Sequence, residues 1–206
     1  DRGNEARIWT RLGRLLKSKS ARAEALSRAG ELLLEVGQPD SAAILLRNVL
    51  ALAPHDEQAF DKLHQLYSAG DDSAGLEALL SHRIRYTDEP GPLIALHFER
   101  AELRLQALDD RAGAARDLMR ILHFEDDHLE AMRKLAQLYD EDNNASRALE
   151  LYRRFVDSTS SLTVRRPVVV RMSQLLGQRG RAAEAVELCR QFLIQSPDDE
   201  QVLEQL

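Results

Sequence analysis

The sequence predicts an all-α protein that is built from repeated helix–turn–helix units. Leu26, Ala29 and Leu33 recur at helical spacing and therefore fall on one face of a helix. A Gly-Gln-Pro-Asp stretch at residues 37–40 interrupts this spacing, as expected for a turn between two helices. The same pattern returns further along the chain, beginning at residues 57, 95, 129 and 166.

The first unit, residues 23–56, shows how one pair of helices would pack. Its second helix carries Leu46 and Val49 on the buried face, and Pro54 ends it. The small side chain of Gly30 would let the two helices of the pair touch. Ala42 would admit the helix of the next unit in the same way.

Five units follow one another in register, and their starts are separated by 34, 38, 34 and 37 residues. The longer separations come from a short insertion at residues 88–92, with two prolines and a glycine, and from a polar insertion at residues 157–161. Pro167 is placed in the first turn of the helix that follows. The predicted repeats are residues 23–56, 57–94, 95–128, 129–165 and 166–199.

The two ends of the chain carry partial units, and we expect one continuous domain. Residues 1–22 contain an amphipathic helix at residues 5–16, which we interpret as an incomplete unit or a cap. The alternative is a tight extra unit whose second helix is residues 21–36. Residues 200–206 read as the start of a further helix.

The repeat resembles the tetratricopeptide repeat, whose period is 34 residues. The family requires apolar or small residues at eight repeat positions, which the first unit fills with Leu26, Ala29, Gly30, Leu33, Ala42, Leu46, Val49 and Pro54. The resemblance implies a right-handed α-solenoid of about five repeats plus terminal partial units. It also implies protein–protein interaction, with a partner segment bound in the concave groove that the first helices line.

Composition narrows the class of protein. The chain has 206 residues, 44% hydrophobic and 30% charged, and a net charge of −6, which argues against a nucleic-acid binder. No apolar run approaches the ~18 residues of a membrane span. One cysteine suits a reducing compartment, so we expect a cytoplasmic protein. The chain begins at Asp1, as an excised segment of a longer protein or a processed form would.

Residues that could carry chemistry or bind metal are better explained by packing and turns. Cys189 occupies a packing position of the last repeat. The stretch at residues 140–151 begins like a calcium loop, but it has Ala145 and Leu151 where glycine and glutamate are required. His123 and His128 flank three acidic residues in what we interpret as a solvated turn. We therefore predict no enzyme activity, no bound metal and no cofactor.

One surface pattern indicates a binding site. The sixth position of every repeat is basic, and we call these five residues the basic ladder: Arg28, Lys62, Arg100, Lys134 and Arg171. In the family this position can face a bound peptide, which would here be an acidic or phosphorylated segment. The ordinary interpretation, helical i,i+4 ion pairs, covers Arg28 with Glu24 and Lys134 with Glu130. The asparagines of the family's carboxylate clamp are absent at the ninth positions.

These observations favour a protein–protein interaction scaffold. The alternative is a regulatory or assembly module of a larger protein, which would dock a folded partner, such as a small GTPase or an enzyme, on its edge or convex face. Binding through the basic ladder would weaken as salt rises, and also in the double variant Arg100→Glu with Lys134→Glu. The partner is expected to be a protein, with no nucleic acid and no membrane span.

Overall fold

The computed structural model describes residues 1–206, which form twelve α-helices and no β-strand, so the all-α prediction is confirmed. None of these helices has the length and apolar character that crossing a membrane requires. The chain forms two compact units, Asp1–Asp109 and Asp110–Leu206. The helices are α1 (Arg2–Leu15), α2 (Lys19–Glu35), α3 (Pro39–Leu52), α4 (Glu57–Ala69), α5 (Ser73–Arg85), α6 (Pro90–Gln106), α7 (Arg111–Phe124), α8 (Leu129–Glu141), α9 (Ala145–Ser158), α10 (Leu162–Gln178), α11 (Ala182–Leu193) and α12 (Glu200–Leu203).

Short polar residues start many of these helices. Asp56 precedes α4, and its Oδ1 accepts a hydrogen bond from the Ala59 amide at 2.8 Å. Asp72 caps α5 in the same way through the Gly75 amide at 2.8 Å. Such caps satisfy amides in the first turn that have no partner within the helix. α3 and α6 instead begin with proline, which has no amide hydrogen to satisfy.

The turns inside the predicted helix pairs share a backbone feature. In the first compact unit, Gly37 and Asp71 have φ angles of 71° and 52°. In the second compact unit, Asn143 and Gly180 have φ angles of 58° and 71°. Glycine adopts this left-handed region without strain, and Asn and Asp tolerate it better than other residues do. The turn at residues 37–40 is therefore where the sequence predicts it.

In the first compact unit, each helix packs against the next along the chain from α1 to α6. Two glycines allow the closest approaches of α2 to its neighbours. A Cβ on Gly13 of α1 would lie 3.1 Å from Leu26 Cδ2, and one on Gly30 would lie 3.3 Å from Leu46 Cδ2. Gly30 therefore lets α2 and α3 approach closely, as the sequence predicted. Gly13 in the same way lets α1 approach α2 closely.

In the second compact unit, successive helices from α7 to α12 pack together around their own core. Phe155, Met132 and Met172 contribute large, almost fully buried side chains, and Ala148 is completely buried. The boundary between the two compact units falls inside the third predicted repeat, between α6 and α7. The repeat boundaries themselves remain a prediction.

The placement of Pro167 in a first helical turn was wrong. α10 begins at Leu162, so Pro167 lies inside the helix. The ring removes the hydrogen bond that residue 167 would donate to the carbonyl of Thr163. Thr163 belongs to an exposed turn, where water can satisfy that carbonyl. The helix therefore tolerates the proline close to its N-terminal end.

Candidate partner-binding surfaces

The five residues of the basic ladder all lie on the helices predicted to be first in each pair. Arg28, Lys62 and Arg100 belong to α2, α4 and α6 in the first compact unit. Lys134 and Arg171 belong to α8 and α10 in the second. Arg28 is exposed, and the other four are half-buried.

In the first compact unit the ladder residues make contacts within the protein. Glu31 lies between two of them, with its Oε2 3.3 Å from Arg28 Nη1 and its Oε1 2.5 Å from Lys62 Nζ. The hydrogen bond from Lys62 is the main reason why the pKa of Glu31 lies below its ordinary value. The Lys62–Glu31 pair connects α4 to α2. The third ladder residue, Arg100, donates a hydrogen bond to Ser81 Oγ at 2.6 Å.

Acidic side chains surround Arg28, so the basic ladder does not form a purely positive surface at this residue. A cleft of about 500 Å³ between α2 and the start of α4 has Arg28 in its wall, together with Glu24, Glu31 and Asp56. Three carboxyl groups therefore stand against one guanidinium. Any segment bound at this point would meet both signs of charge.

In the second compact unit the same arrangement recurs. Arg171 Nε lies 2.5 Å from Oδ2 of Asp140, whose side chain is only 9% exposed, and this pair connects α10 to α8. Lys134 Nζ lies 3.8 Å from Glu130 Oε1 on its own helix, as the i,i+4 spacing predicted. The hydrogen bond to Asp140 also raises the pKa of Arg171 above its ordinary value.

The pairs between neighbouring first helices were missed by the sequence analysis. Asp140 precedes Arg171 by 31 residues, and Glu31 precedes Lys62 by the same number. The i,i+4 spacing predicts only partners on the same helix, whereas these partners lie almost one full repeat away in the sequence. The recurrence of one acid–base separation close to the repeat period is the signal that could have revealed them.

Residues considered for chemistry have structural roles. Cys189 is fully buried, and burial raises the pKa of its thiol, which opposes formation of the nucleophilic thiolate. His128 caps α8, because its Nδ1 accepts a hydrogen bond from the Ala131 amide at 3.2 Å. His123 contacts the ring of Phe124.

The three carboxylates of residues 140–142 form ion pairs with arginines. Asp140 pairs with Arg171, whereas Glu141 and Asp142 bind Arg111 at 2.9 and 3.0 Å. No group of three or more His, Cys, Asp or Glu side chains is arranged to hold a metal ion. Asn144, which the calcium-loop interpretation would need as a ligand, caps α9 through the Arg147 amide.

Comparison with known proteins identifies the repeat. Residues 130–158, which span most of α8 and all of α9, match the family model described as tetratricopeptide repeat. The resemblance drawn from the sequence is therefore confirmed for the family. No curated protein matches the chain in sequence.

Several solved structures share the fold. MamA is 17% identical, with a TM-score of 0.54 over 85% of this chain and 93% of its own. YrrB, described as a TPR protein with an unusual peptide-binding site, is 14% identical, with a TM-score of 0.54 over 88% and 90%. PilF of Pseudomonas aeruginosa is 14% identical, with a TM-score of 0.51 over 98% and 97%. At these identities the likeness shows the fold alone.

Proposed function

We propose that this chain, which carries a tetratricopeptide repeat and has the fold of tetratricopeptide repeat proteins, is a protein–protein interaction scaffold. It receives an extended or helical partner segment on the first helices of its repeats. Tetratricopeptide repeats typically bind proteins and catalyse no reaction, and one structural relative is described by its peptide-binding site. The observation that carries the proposal is the pair of ion pairs between neighbouring first helices, Lys62 with Glu31 and Arg171 with Asp140, which expose basic side chains on these helices.

Several features of these helices suit them to binding. Their buried sides are filled by small and apolar residues, so the opposite sides remain available for long polar side chains. Gln65, Gln137 and Gln174 are exposed at the ninth repeat positions, close in sequence to the basic ladder. Ion pairs such as Arg171 with Asp140 hold these long side chains at defined positions on the first helices.

An acidic or phosphorylated segment remains the partner chemistry that the basic ladder favours. Its carboxylates or phosphates would compete with Glu31 and Asp140 for Lys62 and Arg171. Binding would then depend on salt, because the contacts lie near solvent. Docking of a folded partner on the second helices is the competing function.

Site-specific photo-cross-linking distinguishes the two. A photoreactive amino acid replaces exposed residues of first helices, Gln65 in α4 and Gln137 in α8. Matched positions on second helices are Asn48 in α3 and Glu150 in α9, which are also exposed. Each protein is irradiated in native extract, and the cross-linked partner peptides are mapped by mass spectrometry.

We expect partner peptides at positions 65 and 137 and none at 48 and 150. Cross-links only from positions 48 and 150 would replace the proposal with docking on the second helices. Absence of any specific protein cross-link at all four positions would contradict the interaction function itself.

A further inference from the structure

A groove on the first compact unit lies on a side that the basic ladder does not use. It has a volume of about 820 Å³ and is formed by α1, the C-terminal end of α2 and the first half of α3. Leu33, Val36, Ile44 and Leu45 give it an apolar lining. Ile44 is 52% exposed and Val36 is 38% exposed, so this apolar surface is only partly covered. We call it the α1–α3 groove.

Three arginines of α1 line the same groove: Arg7, Arg11 and Arg14. Their spacing of four and three residues places them in one row along the helix, over about 10 Å. All three are exposed, and none makes an ion pair or a side-chain hydrogen bond within the protein. They differ in this respect from Lys62 and Arg171, whose charges are matched by carboxylates.

The only acidic residue in the lining is Asp1, and its Oδ1 accepts a hydrogen bond from the Gly3 amide at 2.9 Å. The lining therefore carries three cationic side chains against one anionic side chain. The excess extends along the N-terminal segment. Residues 1–22 contain seven Lys and Arg against two Asp and Glu, a net charge of +5 in a chain of −6, which leaves −11 for the remaining residues.

We infer that the α1–α3 groove binds an acidic protein segment that also carries leucine-like side chains. The carboxylates would meet the row formed by Arg7, Arg11 and Arg14, since unmatched arginines bind carboxylates in a bidentate manner. The apolar side chains would cover Ile44 and Val36. The negative charge of the rest of the protein would repel such a segment from other surfaces and so direct it to the groove.

This inference rests on the proposed function only for the class of partner, a protein segment. It concerns a different surface, formed by α1, the first half of α3 and only the C-terminal end of α2, and it contains no residue of the basic ladder. Failure of cross-linking at positions 65 and 137 would leave it untouched, and its own failure would leave the first-helix surface untouched.

The test measures fluorescence anisotropy with a labelled 14-residue peptide of Glu, Leu and Ala, in which Glu and Leu form adjacent stripes of a helix. The charge variant is Arg7→Glu with Arg11→Glu. Its matched control is Arg116→Glu with Arg120→Glu, an exposed pair with the same i,i+4 spacing on α7 and the same change in net charge. The apolar variant is Ile44→Ser, and its control is Ile194→Ser, which changes an isoleucine that is 80% exposed.

We expect the peptide to bind the unaltered protein and to bind the Arg7/Arg11 variant roughly tenfold more weakly, as the loss and reversal of two exposed ion pairs predicts. Ile44→Ser should weaken binding roughly fivefold, the cost of about one buried methylene or more. The two control variants should bind as the unaltered protein does. A peptide with serine in place of every leucine should bind the unaltered protein at least as weakly as the leucine peptide binds Ile44→Ser, because it also loses the contacts with Val36 and Leu33.

Four results would overturn the inference. The first is no binding of the leucine peptide to the unaltered protein. The second is an equal loss in the Arg7/Arg11 and Arg116/Arg120 variants, which would mean unspecific attraction by charge. The third is equal binding of the serine and leucine peptides. The fourth is tighter binding of a 14-nucleotide single-stranded DNA or of phosphatidylserine vesicles than of the peptide, which would assign the basic row to another class of ligand.

Discussion

At the scale of single residues, small side chains set how closely the helices of each compact unit approach one another. Ala148 in α9 is completely buried, as expected for the small residue in the second helix of a repeat. Ala42 and Ala114 occupy the same repeat position, and both are also completely buried. A larger side chain at such a position has no space, because protein interiors are close-packed.

The first prediction concerns Ala148. Ala148→Leu should overpack the core of the second compact unit and lower the free energy of unfolding by about 1–3 kcal/mol. Ala148→Gly should lower it by about 1 kcal/mol through helix propensity alone. Thermal unfolding followed by circular dichroism measures both. Ala183→Leu is the control, because Ala183 is exposed in α11, and it should be nearly neutral. An unchanged midpoint for Ala148→Leu would mean that the position tolerates a larger side chain.

At the scale of elements, α2 is packed from two sides with a glycine at each contact. Gly13 contributes the close approach from α1, and Gly30 contributes the close approach to α3. Glycine inside a helix costs roughly 0.5–1 kcal/mol relative to alanine, so a packing gain must offset this cost. By contrast, a Cβ on Gly177 of α10 would meet no atom within 4 Å.

The second prediction compares these two kinds of helical glycine. Gly13→Leu should destabilise the packing of α1 on α2 by about 1–3 kcal/mol, since its Cβ alone would already crowd Leu26. Gly177→Leu should leave stability unchanged or raise it by up to about 1 kcal/mol. Hydrogen exchange should show faster exchange in residues 2–15 for Gly13→Leu only. Equal protection of α1 in both variants would show that the contact with Leu26 does not limit its stability.

At the scale of the whole molecule, ion pairs with arginine engage the one acidic stretch of the sequence that begins like a calcium loop. Asp140, Glu141 and Asp142 are adjacent in sequence, yet they bind two different arginines, Arg171 and Arg111. A metal at this position would have to displace those arginines. The charge distribution is also uneven, because residues 1–22 carry a net charge of +5 whereas the remaining residues carry −11.

The third prediction follows from these ion pairs. The melting midpoint should be the same with and without EDTA, and added calcium should not raise it, because a ligand that binds the native state stabilises it by mass action. Differential scanning calorimetry of the unaltered protein provides the measurement. A midpoint that falls on chelation would direct attention to residues 140–151 or to the histidines at 123 and 128.

The sequence by itself determined which segments are helical, where the turns lie and which family the repeat belongs to. Helix formation depends on residues within about four positions, so the spacing of Leu26, Ala29 and Leu33 and the cap at Asp56 are readable along the chain. Pro167 was the exception. Its expected position assumed a later helix start, and the helix extends one turn further because the lost hydrogen bond falls at an exposed end.

Only the tertiary structure decided which charges are matched and which surfaces remain partly uncovered. Lys62 pairs with Glu31, and Arg171 pairs with Asp140, because the packing of neighbouring first helices brings together residues that are 31 positions apart. Arg7 and Ile44 belong to different helices, α1 and α3, yet the packing of these two helices on α2 places both residues in one groove. Ion pairing and burial depend on distances between helices, and those distances are set by packing rather than by local periodicity.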